Sequence, residues 1–243
     1  MSYSENAPQS GRSSNEAPVQ RSRAEILDRY RRFRAVSTKH NSGALKCLSS
    51  EALMEQARRL GVARGRTLIL GAEDELAFAF DLALYARQGG RKRPLDRYAA
   101  SQRLEQDSDE ARVLDAMLAA RFALVRVERR HPEAGLIVRD LIREQEFWLV
   151  DQGLESSAPI GFKMATRVYS PDDFHMAAGV FVPLEGHLLK SALERRPLLL
   201  RMDLHEAIED RRFAEAIYRE AIRAGVMERV RFQDPPGLAG AAA

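Results

Sequence analysis

Apolar residues in the first half of the chain recur every three or four positions, the spacing that places them on one face of a helix. The first such stretch follows Ser22, and its apolar positions are Ile26, Leu27, Tyr30, Phe33 and Val36. Polar residues at 39–43 interrupt the pattern, which predicts that this helix ends before them. Helix starts are also predicted at Ser49 or Ser50, at Glu73, near Leu95 and at residues 107–109. The pattern therefore predicts a helical region over residues 22–120.

After Ala120 the spacing of apolar residues changes to two, as expected for strands with one buried face. Five short runs show this alternation, at residues 122–127, 136–140, 147–150, 164–169 and 175–182. Turn-forming residues separate the runs, among them Pro132, Gly135, Gly161 and Pro171. Five short strands without an intervening helix predict a small antiparallel barrel or twisted sheet over residues 121–184.

Helical spacing returns over residues 185–232, where the longest predicted helix covers residues 204–224 and ends at Gly225. Residues 1–21 are polar and residues 233–243 lack an apolar pattern, so both are predicted to be flexible tails. The predicted fold class is α+β, with helices before and after one compact β unit.

Composition and charge indicate the class of protein and its compartment, but they say little about its function. Of 243 residues, 45% are hydrophobic and 30% are charged, which is typical of a globular protein with a packed core. The single cysteine, Cys47, forms no internal disulfide, and no apolar run reaches the ~18 residues of a membrane span. A cytoplasmic protein is therefore expected. The net charge of +3 arises from 38 basic and 35 acidic residues and identifies no partner.

Arginine clusters are the strongest electrostatic feature. Six arginines lie between Arg21 and Arg34, an arrangement that suits nucleic-acid phosphates, an anionic membrane surface, or simply a solvated helix face. Two smaller basic groups follow, at residues 91–97 and 126–131. Trp148 either fills or covers the β unit, or faces outward as a binding anchor. The predicted binding residues are Arg31, Arg32, Arg34, Arg91, Arg93, Arg129, Arg130 and Trp148.

No motif for a metal, a nucleotide or a nucleophile stands out. The acidic run that begins at Glu73 is explained by a helix N-terminus, and His205 with Glu209 lacks a third metal ligand. The glycines fit neither phosphate-loop fingerprint. No cofactor and no metal are therefore predicted. An acid/base site in the β unit is the remaining enzymatic alternative, and its candidates are Asp140, Glu144, His131 and His175.

A set of short motifs spread over residues 73–182 is similar to an uncharacterised bacterial protein family. The matching pieces are Glu73-Asp74-Glu75, Asp81-Leu82-Ala83, Asp96-Arg97-Tyr98, Ser108-Asp109-Glu110, Ala120-Arg121-Phe122, Ala134-Gly135-Leu136, Arg139-Asp140-Leu141 and Trp148-Leu149-Val150-Asp151. The resemblance implies no reaction, ligand or catalytic residue. The β region also resembles, more faintly, small barrels that accompany SEC-C-type metal-binding modules, but the cysteine-rich motif of those modules is missing.

Two functional hypotheses follow from these features. The first is a non-catalytic binding or regulatory module that contacts another macromolecule, either a protein or, through the arginines, a nucleic acid. The second is an enzyme with an unrecognised acid/base site. Nothing in the sequence indicates the oligomeric state.

Overall fold

The computed structural model describes residues 21–71, 73–86 and 92–226, and the side chains of Glu73 and Asp74 lie outside that description. The predictions for the two tails and for Arg91 also fall outside the described residues. The helices are α1 (Arg23–Lys46), α2 (Ser50–Leu60), α3 (Glu73–Tyr85), α4 (Pro94–Ser101), α5 (Asp109–Leu118), α6 (Gln152–Ser157), α7 (Leu188–Glu194), α8 (Pro197–Leu200), α9 (Leu204–Glu209) and α10 (Arg211–Arg223). The strands are β1 (Ala63–Arg64), β2 (Thr67–Leu68), β3 (Arg121–Arg130), β4 (Leu136–Asp140), β5 (Glu146–Leu149), β6 (Lys163–Tyr169) and β7 (Met176–Pro183). The predicted α+β class is confirmed.

Helix α1 is longer than its apolar pattern predicts. It begins as expected with Ser22 as N-cap in a capping box with Glu25, but it continues to Lys46 through the polar residues at 39–43. Those residues do not end the helix because His40 is buried there with partners for both ring nitrogens. The Tyr98 hydroxyl lies 3.0 Å from Nδ1 and the Glu110 carbonyl 2.9 Å from Nε2, so the ring accepts at Nδ1 and donates at Nε2.

Strands β3 to β7 form one antiparallel sheet in the order β5-β4-β3-β6-β7. The two outer strands are joined beyond this ladder by His175, whose N–H donates to the Trp148 carbonyl at 2.7 Å and whose carbonyl accepts from the Val150 N–H at 2.9 Å. Register shifts interrupt β3 between Val127 and Arg129 and β6 between Thr166 and Val168. Such irregularities increase local twist, and the sheet curls toward a barrel.

The central strand β3 is buried on both sides. Ala123, Val125 and Val127 pack inside the curled sheet with residues of β4, β5 and β6. Phe122 and Leu124 face the opposite way and pack against a second cluster that contains side chains from α2, α3 and α10. Helices from both ends of the chain thus meet over the outer face of the sheet. A third cluster joins α1, α4 and α5 to the end of the sheet that carries Phe174.

The long helix predicted over residues 204–224 is divided in two. Asp210 has an extended backbone and serves both as C-cap of α9 and as N-cap of α10, where its side chain accepts from the Arg212 N–H. The apolar spacing continues across Asp210, so periodicity alone does not reveal the break. The short helices α6 and α8 were also not predicted. In the part of the chain described here, no helix has the length and apolarity needed to cross a bilayer.

Candidate functional site

A cavity of about 740 Å³ opens where the start of β3 meets the ends of α3 and α5 and the junction between α9 and α10. Guanidinium groups from distant parts of the chain line it. We call this site the arginine cleft, and its arginines are Arg93, Arg121, Arg167, Arg211 and Arg212. Its chemistry depends on how each guanidinium is held and which donors stay free.

The floor of the arginine cleft is a buried ion pair. Arg167 donates from Nε and Nη2 to the two carboxylate oxygens of Asp81, each at 2.9 Å, and the Tyr218 hydroxyl donates to the same carboxylate at 2.9 Å. The guanidinium also lies over the ring of Tyr85, 4.9 Å from its centroid. Burial alone would lower the pKa of Arg167, but the Asp81 carboxylate raises it, so the group stays charged.

Arg167 keeps one nitrogen available. Its side chain is only 8% exposed, and within the described residues its Nη1 has no hydrogen-bond partner. The floor therefore presents a fixed positive charge with a free donor.

Two further arginines are anchored at the walls. Arg93 binds Asp96 with Nη2 at 2.7 Å and donates to the Leu118 carbonyl at 3.0 Å. Arg121 binds Asp140, whose fully buried carboxylate also accepts the backbone N–H of Arg143 at 3.1 Å. Burial would raise the pKa of Asp140, but the Arg143 N–H and the Arg121 guanidinium hold it below its usual value. These contacts fix both guanidinium groups in orientation.

The rim carries the one cleft arginine whose side chain makes no ion pair among the described residues, although it lies near enough to Asp210 to interact with its charge. Arg212 is neutralised by Asp210, with Nε at 2.9 Å and Nη2 at 2.6 Å, and Glu209 accepts from Arg143. Arg211 has neither an ion pair nor a hydrogen bond from its side chain within the residues that the structure describes. With Arg143 included, six guanidinium groups face five carboxylates, those of Asp81, Asp96, Asp140, Glu209 and Asp210. The cleft thus has excess positive charge suited to an anionic ligand.

The arginines predicted on the first helix divide between surface and interior. Arg31 is exposed, and Arg32 is exposed near Asp28 at 3.7 Å and Asp109 at 4.0 Å. Arg34 points into the protein and donates to Asp151 at 3.0 Å and to the Ala177 carbonyl at 2.7 Å. Arg34 therefore attaches α1 to the sheet.

The other predicted arginines lie in different places. Arg129 is exposed beside Glu146 at 2.8 Å, and Arg130 is exposed and donates to the Glu155 carbonyl. Glu155 also binds Arg23 of α1, so the end of β3 lies next to the start of that helix. Of the described arginines predicted as binding residues, Arg93 alone belongs to the arginine cleft.

Trp148 covers the outer side of the sheet. Its indole N–H donates to the Ala134 carbonyl at 2.7 Å, and its ring stacks on His131 with centroids 4.1 Å apart. Phe174 meets it edge to face at 5.6 Å. The indole is half-buried and holds the turn between β3 and β4.

The four candidates for acid/base chemistry are not joined to one another. Asp140 is occupied by Arg121 and Arg143, and Glu144 is exposed at a turn with a positive φ of 56°. His131 accepts the Glu133 N–H, and the Nδ1 of His175 is buried without a partner among the described residues. Burial, together with the charge of Arg121, lowers the pKa of His175 to about 4. Within the described residues no hydrogen bond connects any two of these four side chains.

Sequence reasoning missed most of the arginine cleft, although one signal for it was available. Asp81 is the only charged residue in the apolar stretch 76–85, and Arg167 is the only one in the apolar stretch 164–169. A lone acid in a buried helix and a lone arginine in a buried strand are most simply explained by pairing with each other. No comparable signal marks Arg211, because it lies among other charged residues.

Comparison with known proteins identifies the family of this chain but no activity. Residues 24–221 match the model of a protein family whose function is unknown. That match confirms the resemblance to an uncharacterised family. No curated protein and no solved structure matches the chain.

Proposed function

Because the chain belongs to the family of unknown function DUF7986, which brings no activity with it, we propose a function from the geometry: a non-catalytic binding module whose arginine cleft holds an anionic group. The ligand class is phosphate or carboxylate. The observation that carries this proposal is the guanidinium of Arg211, which makes no hydrogen bond or ion pair within the described residues, at the rim of a cavity of about 740 Å³ lined by four further arginines.

The arrangement of donors supports a ligand with several oxygens. Arg93, Arg121 and Arg167 are each held by a carboxylate, so little side-chain entropy is lost when the remaining donors bind a ligand. A guanidinium presents donors in a planar fork that matches carboxylate and phosphate oxygens. An oxyanion in the cleft can therefore bind to fixed groups at the floor and walls and to Arg211 at the rim.

The test is a calorimetric titration of the full-length chain with inorganic phosphate and pyrophosphate at low salt. We expect binding that weakens by about 10- to 100-fold in Arg211→Ala, because a hydrogen bond to a charged group contributes about 1.5–3 kcal/mol. Arg103→Ala is the matched control, since Arg103 is exposed and has no ion pair among the described residues. Absence of binding, or an equal loss in both variants, would refute the proposal.

We also propose that the protein works in the cytoplasm. The single cysteine, Cys47, is a free thiol, which is usual in a reducing compartment. The test is localisation of the full-length chain by fluorescent tagging, and a position outside the cytoplasm would contradict the assignment.

A further inference from the structure

Apolar side chains are concentrated on the surface at helix α8 and the start of helix α9. Among the described residues six large apolar side chains are exposed, and three of them lie within seven positions of the sequence. They are Leu198 at 61%, Leu200 at 53% and Leu204 at 38%, and we call them the leucine patch. Single exposed apolar residues are common on protein surfaces, whereas groups of them mark contact sites.

The local backbone places the three leucines close together. Leu199 is buried in the core at 2% exposure, so its neighbours Leu198 and Leu200 leave the single turn of α8 on either side of it. The chain then turns at once, because the Met202 N–H donates to the Leu199 carbonyl at 3.2 Å. Leu204 is the first residue of α9, and four residues span at most about 14 Å, so it lies near Leu200.

The charge of the chain changes sign across the leucine patch. Residues 195–201 contain three arginines and no acidic residue. Residues 203–210 contain four acidic residues and neither lysine nor arginine. The surface around the patch therefore has a basic half and an acidic half.

Two exposed charged groups of this segment make no ion pair or side-chain hydrogen bond within the described part of the chain. They are Arg201, three positions before Leu204, and Glu206, two positions after it. The other charged side chains of the segment have partners in the chain, and they are Arg195, Arg196, Asp203, Glu209 and Asp210. A positive and a negative group thus remain available beside the patch.

A surface with these features is complementary to itself. If a second copy is rotated by half a turn about an axis through the leucine patch, leucines meet leucines and the basic half of each copy faces the acidic half of the other. An anionic membrane or a nucleic acid fits less well, because the acidic residues at 203–210 repel phosphate groups. Charge complementarity therefore favours a second copy of this chain as the occupant.

We propose that the leucine patch is the contact of a symmetric homodimer in which Arg201 of one copy pairs with Glu206 of the other. The two-fold axis forms this ion pair twice. A standard interface uses about 20–30 residues from each partner, so a contact centred on three leucines makes a weak and reversible dimer. The inference does not depend on an anion in the arginine cleft.

Sedimentation equilibrium of the full-length chain between about 1 and about 100 µM measures the association. The mass should rise from the 27.3 kDa of one chain toward twice that value. Leu198→Ser with Leu200→Ser should weaken the dimer by at least about tenfold, because four leucines lose an apolar contact. Ile160→Ser is the control, since Ile160 is 69% exposed in the turn before β6, outside the leucine patch, and should leave the association unchanged.

Exchange of the two charges tests the symmetry of the contact. Arg201→Glu and Glu206→Arg should each weaken the dimer by at least about threefold, since like charges then face each other. The double variant forms both ion pairs with reversed sign, so its dissociation constant should return to within about twofold of the original.

Three results would overturn the inference. The first is a mass of 27.3 kDa at every concentration. The second is a dimer that the leucine variant leaves unchanged, or one that the double charge variant weakens further than either single change. The third is a monomer that floats with vesicles of phosphatidylcholine and phosphatidylserine, which would assign the leucine patch to a membrane surface. Circular dichroism confirms that each variant is folded.

Discussion

Neutralising Asp81 should be among the most damaging single changes that this chain can undergo. In Asp81→Asn the buried guanidinium of Arg167 loses the negative charge that faces its Nε and Nη2 at 2.9 Å. Both side chains are almost inaccessible, with 2% of Asp81 and 8% of Arg167 exposed, so water cannot replace the lost partner. The amide oxygen of the introduced asparagine can still accept from the hydroxyl of Tyr218, but its NH2 group faces a guanidinium N–H, so a hydrogen bond to Arg167 is lost together with the charge.

The expected magnitude follows from the burial. Removing one partner of a buried ion pair costs about 3–5 kcal/mol, because an uncompensated charge remains inside the protein. Arg167→Met should cost a similar amount, since it leaves the Asp81 carboxylate without its counterion. The double variant removes both charges together, so its loss should fall short of the summed single losses by at least about 1–2 kcal/mol.

Urea denaturation followed by the fluorescence of Trp148, the single tryptophan, measures these losses. With a slope of about 3 kcal/mol per molar urea, Asp81→Asn should lower the unfolding midpoint by about 1–1.7 M. Glu194→Gln is the matched control, because its ion pair with Lys190 is exposed and should contribute less than about 1 kcal/mol. A loss in Asp81→Asn as small as in the control, or a double variant that equals the sum of the singles, would refute the reasoning.

Two other predictions concern acid stability and backbone geometry. Burial is the main cause that lowers the pKa of His40 and of His175, the latter to about 4, so the unfolded chain binds more protons than the folded one. The free energy of unfolding should be highest above about pH 6.5, the ordinary pKa of histidine, and should fall as the pH is lowered toward about 4. Measuring Tm as a function of pH tests this, and a Tm that does not change with pH would contradict it. Gly135→Ala should destabilise more than Gly161→Ala, by at least about 1 kcal/mol. Both glycines have φ above 80°, so the backbone strain of the substitution is similar at the two positions. An added Cβ lies 2.4 Å from a backbone oxygen at Gly135 and meets nothing within 4 Å at Gly161. Equal losses of unfolding free energy in urea denaturation would argue against the close approach at Gly135.

Local pattern predicted most of the secondary structure because helix and strand periods depend on neighbouring residues. Strands β3 to β7 lie within a few residues of the predicted runs. Helices α2 and α5 begin after Ser49 and Ser108, which lie within the predicted starts at Ser49 or Ser50 and at 107–109. The errors arose where a distant contact outweighed the local pattern. Helix α1 continues past its polar interruption because Tyr98 binds His40, and Asp210 divides a helix whose apolar spacing is unbroken.

The binding residues were less predictable than the fold. Arginine clusters in the sequence drew attention to Arg31, Arg34 and Arg130, yet Arg34 holds α1 against the sheet. The density of arginines along the chain does not distinguish an arginine that holds two elements together from one that faces a cavity, because a guanidinium can do either. Arg121 and Arg211 are 90 positions apart in the sequence and give no joint signal.

The sequence by itself determined the α+β class, the position of five strands between two helical regions, and the lack of any local catalytic motif. These features follow from apolar periodicity, capping and turn residues, each of which acts over a few positions. Only the tertiary structure decided where the unneutralised positive charge lies. Ion pairs form between elements that meet on folding, so the pairing of Arg167 with Asp81, and of Arg34 with Asp151, leaves Arg211 as the cleft arginine without an ion pair among the described residues.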